Sequence, residues 1–288
     1  IRISRVSVGM DASFVPSAID EVRAVASPHA LDLDGDVSPL ADRIEHFITG
    51  FAPSGAVWSS ASDVAKYLAL ELSGGTLPDG RRLISAEALA QRRSGGVKIT
   101  NTEAYGLGLF CNTQLGRALL HHGGNTLGFT SDMFFLPDAE IGAVVLTNLA
   151  YANGFTGAIR RRILELAFGL DEKAEAMMVG SAESAASQRR SRRERVTRDP
   201  AAADWLEQFA GDYDNSALGG LSIRREADSV WAEFPNFTVE LGMAVREDAR
   251  LLALVSPPFS GSGSLRPAAD RAALVLEGGQ EEYVFRRL

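Results

Sequence analysis

Leu120-His121-His122-Gly123-Gly124-Asn125-Thr126-Leu127-Gly128-Phe129 runs from an apolar approach into two histidines and a glycine pair. The approach, Ala118–His122, has the composition of a short strand. Two glycines directly after it let another backbone or a ligand come close. Adjacent residues on a strand point to opposite faces, so one histidine at most faces a given site. That excludes a zinc centre, which needs three or four converging ligands. His29 and His46, the other two histidines, have no ligand spacing with the pair. The only cysteine, Cys111, excludes an internal disulfide framework and a cysteine-based zinc site. The pattern by itself is that of one exposed histidine and one histidine hydrogen-bonded structurally.

Four strand-like runs surround the pair: Tyr105–Cys111, Ala118–His122, Phe129–Leu136 and Ile141–Thr147. Their short links favour antiparallel hairpins. Upstream, Ser60 and Asp63 form an N-terminal capping signature, and Val64, Tyr67, Leu68 and Leu72 line one face of the helix that follows. Ser85 caps a shorter helix over Ala86–Gln91. A helix from Phe155 to Ala167 ends at Gly169, since glycine tolerates the left-handed conformation of a helix end. Composition then shifts. Residues 171–200 are poor in large apolar side chains, and Gln188–Arg198 holds six arginines and one glutamate. This charged linker reads as a solvated segment or exposed helix face, or as a docking patch for an acidic surface. Beyond Pro200, a short helix over Ala202–Phe209 leads into strands alone. The Ser260–Ser264 stretch among them reads as a flexible loop. Closely spaced strands of this kind form a small antiparallel barrel or sandwich.

The chain has 288 residues, 45% of them apolar and 23% charged, with a mean hydropathy of −0.01. No apolar run approaches the ~20 residues of a membrane helix, so no span is expected. A net charge of −8 excludes a general nucleic-acid binder, which needs positive surface to meet phosphates. The chain opens on Ile1, with no basic stretch and apolar run before a cleavage site. Compartment stays open between periplasmic or secreted and cytoplasmic.

Three ordered blocks resemble the serine β-lactamase and penicillin-binding-protein superfamily, in its branch of class C β-lactamases, esterases and D-aminopeptidases. They are Pro53–Tyr67, Tyr105-Gly106-Leu107-Gly108-Leu109-Phe110, and His122–Phe129 followed by Leu136-Pro137 and Val144–Asn148. Val8–Phe14 is similar to a further segment of this branch. The resemblance implies an α+β fold: an antiparallel sheet with flanking helices over residues 1–170, the C-terminal portion of the catalytic domain. After the linker, Trp205–Tyr213 resembles the start of the lipocalin-like domain appended to some members, which implies an antiparallel β-barrel over residues 201–288. Core packing is the plainer account of Trp205, Phe209 and Tyr213.

Within that family, His122-Gly123-Gly124 corresponds to the strand motif Lys-Thr-Gly or His-X-Gly that edges the active site. The resemblance implies catalytic roles for His122 and for the backbone N–H of Asn125. That N–H would serve as an oxyanion donor, stabilising charge that develops on a carbonyl oxygen. It implies substrate contact at Gly123, Gly124 and Gly55. The nucleophile motif Ser-X-X-Lys is missing: Asp63, Gly95 and Leu170 stand three residues before Lys66, Lys98 and Lys173. Two Tyr-X-Asn matches, Tyr151–Asn153 and Tyr213–Asn215, follow His122 where the family order puts that motif earlier, so they read as chance. An upstream N-terminal segment carrying both motifs is therefore expected as a partner.

The resemblance implies a serine hydrolase or acyltransferase working through an acyl-serine intermediate, with this chain alone inactive. A histidine is mostly neutral near pH 7, so ester, amide or D-amino-acid peptide substrates suit it better than carboxylate-bearing β-lactams. The alternative is a non-catalytic module holding peptides or cell-wall fragments. A third reading makes the barrel the working part, binding a small apolar ligand. No cofactor or metal is expected, since neither a phosphate-binding glycine loop nor a ligand cluster occurs. Homo-oligomer formation stays open.

Overall fold

The computed structural model describes residues 8–11, 25–41, 44–46, 55–94, 96–247, 249–260, 262–278 and 281–288. Ala12–Phe14 and Pro53–Ser54, part of the family-like segments, lie outside them. The chain divides into two compact units, Ile1–Val25 with Ile48–Val179, and Ala26–Phe47 with Gly180–Leu288. The second unit begins with a hairpin of β1 (His29–Leu31) and β2 (Val37–Pro39).

In the first unit, α1 spans Ala61–Leu72 and α2 spans Ala86–Arg93. Ser60 Oγ accepts from Asp63 N and Ser85 Oγ from Ala88 N, the capping bonds expected of these residues. A six-stranded antiparallel sheet follows in chain order: β3 (Val97–Lys98), β4 (Glu103–Tyr105), β5 (Phe110–Asn112), β6 (Leu119–Asn125), β7 (Thr130–Leu136) and β8 (Ile141–Thr147). The run Tyr105–Cys111, expected as one strand, is two. Gly108 at φ +77 turns the chain between β4 and β5, a conformation that costs glycine little.

Helix α3 (Asn153–Phe168) ends on Gly169 at φ +61, as its sequence requires. Alternation along β6 and β7 gives the sheet two apolar faces. Leu120, Phe135, Met133 and Val144 pack with Leu68 of α1. Leu119, Phe134 and Leu136 pack with Leu164 of α3. Neighbouring residues such as Phe134 and Phe135 thus serve cores on opposite sides. Glu71 of α1 is buried, and Tyr67, Arg92 and Arg93 bond to its carboxylate.

Helix α4 (Ala174–Glu194) occupies most of the stretch read as a charged linker or exposed helix face. In the second unit, β9 (Val196–Thr197) and α5 (Pro200–Glu207) precede eight antiparallel strands. These are β10 (Gly211–Asn215), β11 (Gly219–Glu226), β12 (Ser229–Glu233), β13 (Thr238–Arg246), β14 (Ala249–Leu254), β15 (Gly263–Pro267), β16 (Ala273–Gly278) and β17 (Glu281–Arg287). β12 pairs with β13 as well as β11, and β10 pairs with β17, so the sheet closes into a barrel. The α+β class with an antiparallel barrel at the C-terminal end is as expected. Part of the Ser260–Ser264 stretch, expected as a loop, enters β15, where Leu265 plugs the core.

Candidate active site

Alternation along β6 starts the two histidine side chains toward opposite faces, His121 toward α3 and His122 toward α1, yet the Phe110 ring meets both, with centroids 5.1 and 5.8 Å away. β5 supports β6 only as far as the pair Phe110↔His121. Beyond it, among the described residues, His122 to Asn125 pair with β7 alone, from His122↔Met133 to Asn125↔Thr130. Four residues of β6 therefore present an open strand edge, and Gly123, Gly124 and Asn125 are exposed along it.

Larger residues would be tight at both glycines. A Cβ on Gly123 would stand 3.0 Å from the Ser131 carbonyl oxygen, and one on Gly124 3.1 Å from Ser131 Oγ. Their bareness also leaves the backbone approachable.

His122 Nε2 and the Tyr105 hydroxyl share a hydrogen bond of 3.2 Å. Tyr105 in turn packs edge-on against Phe110, with centroids 4.7 Å apart. The motif Tyr105-Gly-Leu-Gly-Leu-Phe110 thus wraps its two aromatic ends round the histidine strand. Tyr105 opens a family-like block of the sequence but carries no expected site role there, because only the folded sheet brings its hydroxyl to His122.

Asn125 is tied down by its side chain. Thr130 Oγ1 donates to Asn125 Oδ1 at 2.9 Å, and Asn125 Nδ2 donates to Asn153 Oδ1 at 3.0 Å. Asn153 opens α3, so the end of β6 is anchored to that helix. Asn153, read as a chance loop residue, is therefore brought to the candidate site. Tyr213 of the other Tyr-X-Asn match is buried, with its hydroxyl donating to the Phe209 carbonyl. Gly55 is exposed ahead of α1, in a segment whose Trp58 meets Phe129 edge-on at 5.0 Å.

A cavity of about 530 Å³ opens on the other face, against α3, and Gly55 does not line it. His121, Gly123, Asp132, Asn153, Thr156 and Arg160 are among its walls. His121 stacks on Phe110 and bonds to Glu103 Oε1 at 3.3 Å. Burial and the Arg160 charge push its imidazole down, against the opposing pull of Glu103. Burial pushes the Asp132 carboxyl up to about 6, against the pull of Arg160. Among the described residues no group of three or more His, Cys, Asp or Glu converges as a metal site. No helix there is long and apolar enough to cross a membrane.

A family model described as Beta-lactamase matches residues 7–168. No curated protein matches the sequence. Among solved structures, the octameric penicillin-binding protein homologue from Pyrococcus abyssi is similar, with a TM-score of 0.51 and 19% identity over 98% of this chain and 58% of that one. A D-stereospecific amidohydrolase from Streptomyces sp. has a TM-score of 0.44 and 19% identity over 59% of this chain and 47% of its own. The chain thus spans about half the length of these structures.

Proposed function

The chain belongs to the Beta-lactamase family, and from that premise we propose that it carries the strand side of an acyl-serine site. The reaction is hydrolysis or acyl transfer on an ester, amide or D-amino-acid peptide. The carrying observation is the open edge of β6 at His122–Asn125, with His122 held by Tyr105 and Asn125 by Thr130 and Asn153. An extended substrate would lie along that edge, taking main-chain hydrogen bonds as an added strand does. The Asn125 N–H would stabilise the oxyanion, and the Gly123-Gly124 backbone would border the acyl group. His122 would orient the substrate carbonyl or a proton-carrying tyrosine. The nucleophilic serine, its lysine and that tyrosine would come from a segment upstream of this sequence.

Gly55 would widen the wall of the site. The octameric neighbour supports testing the whole protein for a homo-oligomer. In the complete protein, His122→Ala should lower ester turnover by roughly 10²-fold, the scale of an orienting or acid–base group. Unchanged turnover would remove His122 from the mechanism.

The absence of Ser-X-X-Lys favours a second reading, a peptide-binding module without catalysis. Intact mass spectrometry of natively purified protein, before and after a fluorophosphonate probe, separates the two. A heavier chain or co-purifying N-terminal fragment carrying one adduct supports the hydrolase. An unlabelled 30.8 kDa species supports the binding module.

A further inference from the structure

A row of three aromatic rings leads into the barrel, and each ring carries an arginine. Trp205 of α5 and Phe209 just after it meet edge-on, with centroids 5.0 Å apart. Tyr213 of β10 donates its hydroxyl to the Phe209 carbonyl at 2.8 Å. Guanidinium groups from three other places in the second unit stand over these rings. Arg250 of β14 lies 6.0 Å from the Trp205 centroid, Arg271 of the turn before β16 lies 5.8 Å from that of Phe209, and Arg287 of β17 lies 5.7 Å from that of Tyr213. Each is within cation–π range, and all three arginines are exposed.

The backbone around them is fitted to this arrangement. Arg271 sits at φ +58, a left-handed conformation that a residue with a Cβ adopts at a cost. The Arg287 N–H donates to the Ala272 carbonyl at 2.9 Å, which brings Arg287 beside the residue that follows Arg271. Arg287 Nη2 also donates to the Ala210 carbonyl, and a Cβ on Gly211 would stand 3.0 Å from that nitrogen. Like charges are thus gathered over one aromatic row, while the acids nearby are committed elsewhere. Asp204 and Glu207 of α5 both pair with Arg225, and Asp212 of β10 pairs with Arg224. Asp270, beside Arg271, accepts the Ala272 N–H. Among the described residues no carboxylate pairs with Arg250, Arg271 or Arg287.

A guanidinium held over a ring keeps most of its five N–H donors for an outside acceptor, and its fork fits a carboxylate bidentately. The chain's net charge of −8 repels a polyanion as long as a nucleic acid, whereas a short acidic segment meets only the local charge. We propose that this face of the second unit docks a short acidic segment of a partner protein, whose Asp or Glu carboxylates bond to Arg250, Arg271 and Arg287. The inference stands apart from the acyl-serine reading, since every residue in it belongs to the second unit.

Alternate side chains of an extended segment fall about 7 Å apart on one face. The probe is therefore a capped octapeptide of alternating Glu and Ala, titrated into this chain labelled with ¹⁵N. Controls carry Gln or Lys in place of Glu, and a further one is inorganic phosphate alone. The readouts are the Nε–H signals of the three arginines and the indole N–H of Trp205. The Glu peptide should shift them saturably and bind at least about tenfold more tightly than the Gln peptide or phosphate. Its binding should weaken as salt rises. Arg271→Lys and Arg287→Lys keep the charge and lose the fork, and each should weaken it by about threefold or more. No shift, binding of the Gln or Lys peptide or of phosphate as tight as that of the Glu peptide, or lysine variants that bind like the parent would overturn the proposal. The same shifts on concentrating the protein alone would also overturn it, by giving the face to a second copy. The comparison among probes on the unaltered protein decides the matter even where a variant fails to fold.

Discussion

Asp132 shows how a single buried carboxylate shapes the acid–base behaviour of this fold. Its ordinary value is 3.8, and burial raises it to about 6 in the folded chain. Between those two values the folded state holds the proton and the unfolded state releases it. Stability therefore falls as pH rises from about 4 to 6 and does not recover above. Asp132→Asn removes that titration. The variant should gain melting temperature over the parent as pH rises through this window, with the difference levelling off above pH 6. Thermal unfolding followed at pH 4 and pH 7 checks it, and an equal difference at both would refute the assignment. His122 was legible in the sequence as a candidate, because a glycine pair follows it in a family-like order. Asp132 and Arg160 were not, since no local pattern marks them, and Tyr105 stood in a family-like block without a role. Asp132 stands opposite Gly123 only through the β6–β7 register, and Arg160 reaches it from a helix 28 residues on.

At the scale of elements, periodicity and capping gave α1, α2 and α3 nearly to their ends, because each of these features is local. Two kinds of element escaped. Tyr105–Cys111 has strand composition throughout, and only the positive φ of Gly108 reveals the turn within it. β15 is glycine- and serine-rich, and its pairing with β14 and β16 makes it a strand. The junction of α3 and α4 escaped for a similar reason. Glu165, buried in α3, accepts from the N–H groups of Lys173 and Ala174 and from Arg161 and Arg162. It thereby satisfies donors that the start of α4 would leave open. Burial pushes its carboxyl up, but these hydrogen bonds outweigh that and hold it at about 2. The folded value is depressed, so its stabilisation is complete above about pH 4.5 and is lost as pH falls toward 2. Glu165→Ala should lower the melting temperature near neutrality and flatten its dependence between pH 5 and 2.5. A parallel pair of curves would show that Glu165 is not the titrating group.

Over the whole molecule, the two units use apolar residues differently. The first spreads them over two faces of an open sheet and, among the described residues, leaves the end of one strand unpaired along one edge. The second spends them filling a closed barrel: Tyr213, Ile223, Leu252, Leu265 and Phe285 are among the side chains that pack its interior. An eight-stranded barrel has room for its own side chains or for one small ligand, and here these side chains pack against one another as its core. The basic run also finds a partner within its own unit. Arg193 pairs with Asp34 at 2.6 Å in the turn between β1 and β2, where Asp32 Oδ1 accepts from three backbone N–H groups. Both partners of that ion pair are exposed, so it contributes at most about 1 kcal/mol. The apolar contact of the same turn matters more. Leu33 is buried with Ala253 and Val255 outside the barrel's main core. No pattern in the sequence links residue 33 to residues more than 200 positions away. Leu33→Ala should cost about 2–5 kcal/mol, the range for deleting a buried leucine side chain. Hydrogen exchange resolves where that loss falls. The amides of Ala253 and Val255 should lose protection, while those of Phe134 and Phe135 in the first unit should keep theirs. Equal loss in both units would mean that the chain unfolds as one cooperative body and that the second unit has no stability of its own.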